Sequence, residues 1–262
     1  MKKVIIVGAN GTIGSELKKQ LSIYNTVIPV TKHLKFSAYQ KLISNEVPDF
    51  IINAAGIVSN DLNECLEVNF YLTESIFKAL SLSKIKCRVL LIGSAAEYGL
   101  IEDQNNGVKE TANMNPISNY GLSKCMQSLL ARKYFNEGVD IVIARVFNIQ
   151  AENLNNNLFL GSLINQIKQF KSGKIKNIHL GNISTFRDYI DLSAACNKII
   201  NVLINGKSGE IYNIGSGTPV SMKTLLLAYL KKYDVDYKNI IFTPHPEGVF
   251  KIYSDNTKYN KL

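Results

Sequence analysis

Tyr120 and Lys124 stand four residues apart in Tyr120-Gly121-Leu122-Ser123-Lys124, so on a helix they share a face. A tyrosine phenol with a pKa near ~10 is a poor acid or base at neutral pH. An ammonium beside it stabilises the phenolate and lowers that pKa. The pair can then deliver or remove a proton where a carbonyl and an alcohol interconvert. Ser94 follows the apolar run at 88–92, where a buried strand would end. Its hydroxyl can donate to the same oxygen and stabilise negative charge as it develops. A tyrosine and a lysine at this spacing are common on helices for structural reasons. A second motif, able to hold a hydride carrier, gives them weight here.

That motif is Gly8-Ala9-Asn10-Gly11-Thr12-Ile13-Gly14, about a hundred residues before Tyr120. It follows an apolar run and precedes a helical pattern, the arrangement that binds a dinucleotide pyrophosphate. Gly8 permits the tight turn, Gly11 lets backbone approach phosphate, and Gly14 lets the helix pack on the strand. The helix N-terminus adds free N–H groups and its positive dipole end. The spacing is GxxGxxG, not GxGxxG. Cofactor contacts are expected at Gly8, Asn10, Gly11, Thr12, Ile13 and Gly14. The second strand closes on Val30-Thr31-Lys32-His33-Leu34-Lys35, which has no carboxylate for an adenosine ribose hydroxyl. Thr31, Lys32 and His33 suit a 2′-phosphate, so NADP(H) is preferred and NAD(H) remains possible. Together the two motifs describe a nicotinamide-dependent enzyme.

Short apolar runs must position these groups. Strands are expected at Lys3–Val7, 27–30, 50–54, 88–92 and Asp140–Val146, and helices at 15–21, 38–44, 62–82 and 118–135. Strands without polar alternation are buried on both faces, which implies a parallel sheet covered by helices. The expected fold is α/β, a Rossmann-type doubly wound parallel sheet. Its strands' carboxyl ends carry the ligand, and Ser94 lies at one of them. Beyond about residue 147 the pattern fades. The stretch 152–157 reads as a loop. Helices follow at 159–170, 192–204 and Met222–Lys232, with short strands at Ile178–Leu180 and 211–213. A cofactor-binding domain is expected over 1–150, with returns near 183–215, and a smaller, interleaved substrate-binding lobe over 151–262.

Composition removes other classes. Of 262 residues, 46% are apolar and 19% charged, a globular balance. Cys65, Cys87, Cys125 and Cys196 show neither a CxxC pair nor a metal-ligand spacing. No disulfide framework and no metal are expected, and a reducing cytoplasm fits. Met1-Lys2-Lys3 before Val4–Val7 has the start of a signal peptide, but Gly8 ends the apolar stretch too soon. No run approaches the ~18 apolar residues of a membrane helix. The net charge of +9 is spread along the chain as lysines. That describes a solvated surface, part of which could steer a phosphorylated substrate. No basic helix with interleaved aromatics points to nucleic acid.

With the glycine loop and the tyrosine–lysine pair, further segments closely resemble the extended short-chain dehydrogenase/reductase family. This is the family of nucleotide-sugar epimerases, dehydratases and reductases, and the resemblance covers essentially the whole chain. Asn53-Ala54-Ala55-Gly56 resembles its turn beside the cofactor, and Asn69 its helix asparagine. Gly93-Ser94-Ala95-Ala96-Glu97-Tyr98-Gly99 is similar to its serine segment. Ala144-Arg145-Val146-Phe147-Asn148 is similar to a strand end whose asparagine contacts substrate phosphate or sugar. Phe186-Arg187-Asp188-Tyr189-Ile190-Asp191 is similar to a segment whose arginine binds the substrate pyrophosphate. Tyr212-Asn213-Ile214-Gly215-Ser216-Gly217 is similar to its YNxGxG turn.

The resemblance implies Ser94, Tyr120 and Lys124 as the catalytic set, with Tyr120 and Lys124 also touching the cofactor beside Asn53, Ala54, Ala55 and Gly56. It implies substrate contacts at Ser94, Ala95, Asn148, Arg187 and Lys251. Alone, Arg187 would read as an ion pair with Asp188; a guanidinium fork nevertheless suits a diphosphate. Lys251 stands where many relatives carry an arginine, and His245 where another carries a second one.

Family dehydratases place an acidic pair directly after the catalytic serine or threonine. Ala95 and Ala96 hold those positions and Glu97 lies too far along, so elimination of water is disfavoured. The segment and the basic second-strand end look most like reductases of nucleotide-linked 4-keto-6-deoxyhexoses. The expected activity is NADP(H)-dependent reduction of that 4-keto group, in making deoxysugars for surface polysaccharide such as lipopolysaccharide O-antigen. A C4 epimerase that retains NAD would use the same three residues. A non-catalytic NADP-binding sensor or scaffold would be expected to lose the tyrosine–lysine pair kept here. The helices at 62–82 and 118–135 resemble those of a four-helix dimer interface, so a homodimer is expected. The chain's length implies a small substrate lobe.

Overall fold

Strand and helix alternate as the apolar runs require. The computed structural model describes residues 1–243 and 249–262. In chain order it has β1 (Lys3–Val7), α1 (Thr12–Leu21), β2 (Thr26–Val30), α2 (Phe36–Glu46), β3 (Phe50–Asn53), α3 (Leu62–Cys65), α4 (Leu72–Ser83), β4 (Arg88–Ser94), α5 (Asn119–Asn136), β5 (Asp140–Val146) and β6 (Asn148–Gln150). There follow α6 (Phe159–Lys171), β7 (Ile178–Leu180), β8 (Phe186–Asp191), α7 (Leu192–Asn205), β9 (Ile211–Ile214), β10 (Pro219–Ser221), α8 (Met222–Lys232), β11 (Ile240–Phe242) and β12 (Lys251–Ile252).

Six strands lie parallel in the order β2-β1-β3-β4-β5-β9. Chain order reverses beside β1, which opens a crevice at the carboxyl ends of β1 and β3. Successive side chains go to opposite faces of a strand. Ile5, Val7, Ile51, Val89, Leu91 and Ile143 therefore pack on α2, α4 and α5. Val4, Ile6, Ile52, Leu90, Val142 and Ala144 pack on α1 and α7. Each fully buried Val, Ile or Leu contributes about 1.5–3 kcal/mol, and these two layers hold the strand ends in place. The sheet and its helical faces are the Rossmann-type architecture that the sequence implies.

The single helix expected over 62–82 runs continuously to Ser83, but its middle turn, Leu66–Tyr71, is wound as a π-helix. Such turns re-aim a side chain and recur at functional sites; this one carries Asn69.

Within 183–215, α7 and β9 pack on and join the main sheet, whereas β8 lies elsewhere. It is the centre of a small sheet, antiparallel to β10 and parallel to β12 and β6. A third sheet pairs β7 with β11, against a core of Leu160, Leu163, Ile167, Leu225 and Leu226 from α6 and α8. The apolar pattern does not reveal β6, β8, β10, β11 or β12. Most have only two or three residues, and β8 carries Arg187, Asp188 and Asp191. No described helix is long and apolar enough to cross a membrane.

Candidate active site

The carboxyl ends of β4 and β5 and the start of α1 open onto a cavity of about 450 Å³. The fold gathers Thr12, Ile13, Ser94, Ala95, Tyr120, Asn148 and Arg187 into its walls, residues spread over most of the chain. Lys251 does not join them. On β12 it is Ile252 that lines the cavity. Neighbours on a strand face opposite ways, and the Lys251 ammonium lies 5.7 Å from the centre of the Tyr253 ring. His245 lies outside the described residues.

Ser94 ends β4 and caps the short 3-10 turn Ala95–Glu97. Its hydroxyl accepts the Ala96 N–H at 3.2 Å, and Glu97 Oε1 accepts the Ser94 N–H at 2.7 Å. Glu97 Oε2 accepts from Arg145 Nε and Nη2 at 3.1 and 2.7 Å and from Ser128 Oγ at 2.7 Å. Glu97 is 0% exposed and Arg145 1%. Removing one partner of such a pair strands a buried charge, at about 3–5 kcal/mol. The reading of the sequence misses this pair. Its signal is Arg145 itself, a charge inside the apolar strand Asp140–Val146 that must find a partner.

Helix α5 carries Tyr120 and Lys124. Ser118 caps it by accepting the Gly121 N–H at 3.0 Å. A Cβ at Gly121 would lie 2.6 Å from Ala96 O, so glycine lets the first turn pack on the serine segment. Tyr120 is half-buried in the cavity wall. Burial pushes its phenol above the ordinary tyrosine range; the Ser94 hydroxyl pulls it down, and the Glu97 charge adds to the rise. Lys124 is buried, and its Nζ donates to Ile92 O and to Gln127 Oε1. Burial pushes Lys124 down to about 8, opposed by Glu97. The expected ammonium-driven fall of the tyrosine pKa is corrected: the ammonium is turned onto a strand carbonyl and an amide, and desolvation decides the phenol.

Behind Lys124 runs a buried polar network. Gln127 Nε2 and Asn53 Nδ2 both donate to Thr73 Oγ1, at 2.7 and 2.9 Å, and Thr73 donates to Asn69 O at 2.8 Å. Asn69 donates to Ser123 Oγ at 2.9 Å and exchanges bonds with the main chain of Ile57; Ser123 donates to Tyr120 O. The family resemblance places Asn53 beside the cofactor. Its side chain is committed to Thr73 and to the Ala55 N–H, so it shapes the Ala54–Gly56 turn from behind. A Cβ on Gly56 would lie 4.0 Å from Lys124 Nζ, which places that turn beside the ammonium. Gln127 and Thr73 carry no local motif that would have singled them out.

The glycine loop fits a dinucleotide. Gly8 has φ +79°, and a Cβ there would lie 2.6 Å from Ala55 N. A Cβ on Gly14 would lie 2.1 Å from Gly8 O. At Gly11 a Cβ would meet Gly8 O at 3.3 Å, with no other described residue beyond its chain neighbours within 4 Å, so the loop leaves that side largely clear. No side chain caps α1 and its first turn holds no acid. Such an uncapped N-terminus favours a phosphate. Asn10 is exposed beside it, and Thr12 Oγ1 donates to Asn153 O at 3.0 Å. Val30 O accepts the N–H groups of Gly8 and Ala9, which sets the exposed Thr31, Lys32 and His33 next to the loop.

Arg187 Nη1 donates to Phe186 O at 2.7 Å and to Phe250 O at 3.3 Å. It makes no ion pair with Asp188. That buried carboxylate instead accepts the N–H and O–H of Ser216 and of Ser254 and the N–H of Gly217. Burial pulls Arg187 below the usual guanidinium range, and no carboxylate among the described residues pairs with it. A half-buried cation in a cavity wall, with no counter-charge among the described residues, favours an anionic ligand. Asn148 is beside it, donating to Asp188 O at 3.0 Å.

The model of the NAD dependent epimerase/dehydratase family matches residues 4–215. GDP-6-deoxy-D-talose 4-dehydrogenase of Aggregatibacter actinomycetemcomitans is 25% identical over 262 residues, covering 94% of this chain and 86% of its own. GDP-6-deoxy-D-mannose reductase of Pseudomonas aeruginosa is 24% identical over 237 residues, covering 86% and 78%. Among solved structures, RMD from Pseudomonas aeruginosa complexed with NADPH superimposes with a TM-score of 0.88 at 20% identity, over 100% of this chain and 92% of that one. DesIV, a dTDP-glucose 4,6-dehydratase from Streptomyces venezuelae with NAD and TYD bound, gives 0.88 at 19% identity, over 99% and 90%.

Proposed function

This chain belongs to the NAD dependent epimerase/dehydratase family and is an NAD(P)-dependent oxidoreductase, and we propose that it uses NADPH to reduce the 4-keto group of a nucleotide-linked 4-keto-6-deoxyhexose. The observation that carries this reading is one cavity wall holding Ser94 and Tyr120, in a pocket that also holds Arg187, with which no carboxylate among the described residues pairs. The methyl groups of Ala95 and Ala96 line that cavity and Glu97 is spent on Arg145, which disfavours elimination of water. The relatives named for 6-deoxyhexose 4-dehydrogenase and reductase activities support the substrate class. The sugar's use in surface polysaccharide follows from the family resemblance.

NADPH held on the glycine loop supplies the hydride for the carbonyl carbon. Ser94 donates a hydrogen bond to the carbonyl oxygen. Tyr120, kept protonated by burial, gives that oxygen its proton. Lys124, beneath Tyr120 and beside Gly56, supplies positive charge. Arg187 and Asn148 hold the diphosphate end.

The first test is NADPH consumption against a panel of nucleotide-linked 4-keto-6-deoxyhexoses, with NADH in parallel. Consumption with one of them establishes the substrate, and faster use of NADPH than NADH supports the role given to Thr31, Lys32 and His33. No consumption, with NAD released on denaturation, would establish the epimerase instead. No consumption and no NAD released, with added NADP(H) still bound by the folded protein, would favour a sensor. A homodimer belongs to the same proposal. Leu122 and Leu129 lie seven apart on α5, are 40% and 54% exposed, and share a face. Sedimentation at the monomer mass would remove that part.

Two further results are expected. Arg187→Met raises the KM for the nucleotide sugar about 10–100-fold, the value of one or two charge-assisted hydrogen bonds, and leaves kcat within about threefold. A fall in kcat with KM unchanged would take Arg187 out of the diphosphate role. In a pH profile, kcat/KM reports groups of the free enzyme. Tyr120 stays protonated through neutral pH, so the alkaline limb belongs to Lys124. The rate is flat at lower pH, where Lys124 is charged, and falls above about 8 as the ammonium loses its proton. A profile that stays flat through the whole lysine range would remove Lys124 from the chemistry.

A further inference from the structure

We propose that Glu97 is the positioning residue of this site, fixing Ser94 through its main chain at the mouth of β4. The inference rests on the reading that Ser94 hydrogen-bonds the reacting carbonyl. The Ser94 hydroxyl accepts from the Ala96 N–H, so a lone pair is used inward and the proton is left to donate. Glu97 Oε1 closes the turn by accepting the Ser94 N–H at 2.7 Å.

The carboxylate is itself held from two other elements. Arg145 on β5 gives it two N–H donors, and Ser128 on α5 gives it a hydroxyl. The Arg145 guanidinium lies 4.5 Å from the centre of the Tyr98 ring, one residue beyond Glu97. A Cβ on Gly93 would lie 2.8 Å from Glu97 Oε1, so glycine there makes room for the carboxylate. Ser94 is therefore tied through one side chain to the strand beside it and to the helix that carries Tyr120 and Lys124. A buried ion pair is weak support for stability, since an apolar pair of similar volume often does as well. What an apolar pair cannot do is accept the Ser94 N–H.

Glu97→Asp separates reach from charge. It keeps a carboxylate beside Arg145 and withdraws it by one methylene from Ser94. The expected result is a folded protein that binds NADPH within about twofold of wild type, with kcat reduced about 10–100-fold, the cost of misplacing a group by about 1 Å. KM for the sugar moves far less. In serine-labelled protein the Ser94 amide proton shifts upfield and exchanges faster. A Glu97→Asp enzyme with wild-type kcat, or with an unmoved Ser94 amide, overturns the proposal. If Glu97→Asp does not fold, the wild-type amide decides. Slow exchange at Ser94 supports the bond, and exchange as fast as an exposed amide rejects it. If wild type reduces no ketosugar, the reaction reading fails while the same amide still reports on Glu97.

Discussion

Tyr120→Phe is expected to lower ketosugar reduction by about 10²–10⁴-fold, the usual contribution of a positioned general acid, while NADPH binding stays within about threefold. The phenyl ring fills the same part of the cavity wall. The bond that fixes this turn is made by the Tyr120 main-chain oxygen with Ser123, so it survives the substitution. The change deletes one hydroxyl and leaves the packing of α5 on Ala96 untouched. Burial keeps the wild-type phenol protonated, which is the form a reductase needs at the moment hydride arrives. The reverse reaction, from alcohol to ketone, needs the phenolate and should respond more steeply to rising pH. Single-turnover NADPH oxidation and a cofactor titration by fluorescence separate chemistry from binding. A Tyr120→Phe enzyme that turns over at the wild-type rate would mean that Ser94 or water supplies the proton.

What the sequence makes legible is what short-range geometry encodes. A strand, a glycine turn and a helix within a dozen residues predict the α1 N-terminus. A four-residue spacing predicts that Tyr120 and Lys124 share a face. The sheet follows from apolar runs that lack alternation. The supporting contacts are long-range or depend on burial. Glu97 meets Arg145 forty-eight positions away, and Lys124 Nζ finds Ile92 O thirty-two positions away. No local pattern tells an ammonium which of its neighbours to choose, so the direction of the tyrosine's pKa shift is not legible in the sequence. A two-residue strand such as Lys251–Ile252 has too little pattern to reveal which side faces the cavity. Arg187 shows the converse. An adjacent acid suggests an ion pair by sequence, but on a strand adjacent side chains diverge. Asp188 goes inward to gather the Ser216–Gly217 turn and Ser254.

Gly11→Ala and Gly14→Ala should fail in opposite ways, although both alter the same loop. At Gly14 a Cβ would sit 2.1 Å from Gly8 O, and Gly8 cannot retreat because its own Cβ position is 2.6 Å from Ala55 N. Helix α1 must therefore move off the strand. Overpacking of this kind costs about 1–3 kcal/mol or more, a fall of several degrees in Tm for a chain of this size. Gly11 has φ −70°, which alanine adopts freely. A Cβ there meets Gly8 O at 3.3 Å, and at this N-cap alanine is less favoured than glycine, so the free protein should melt only a few degrees below wild type. The new methyl group instead occupies the space through which phosphate approaches the α1 N-terminus. NADPH stabilises whatever binds it by RT ln(1 + [L]/Kd). The wild-type protein should therefore gain several degrees in saturating NADPH, and Gly11→Ala should gain almost none. Gly14→Ala should start lower and bind poorly as well. A full NADPH-dependent shift in Gly11→Ala would mean that the pyrophosphate does not lie on this loop, and the cofactor site would have to be sought elsewhere on the sheet.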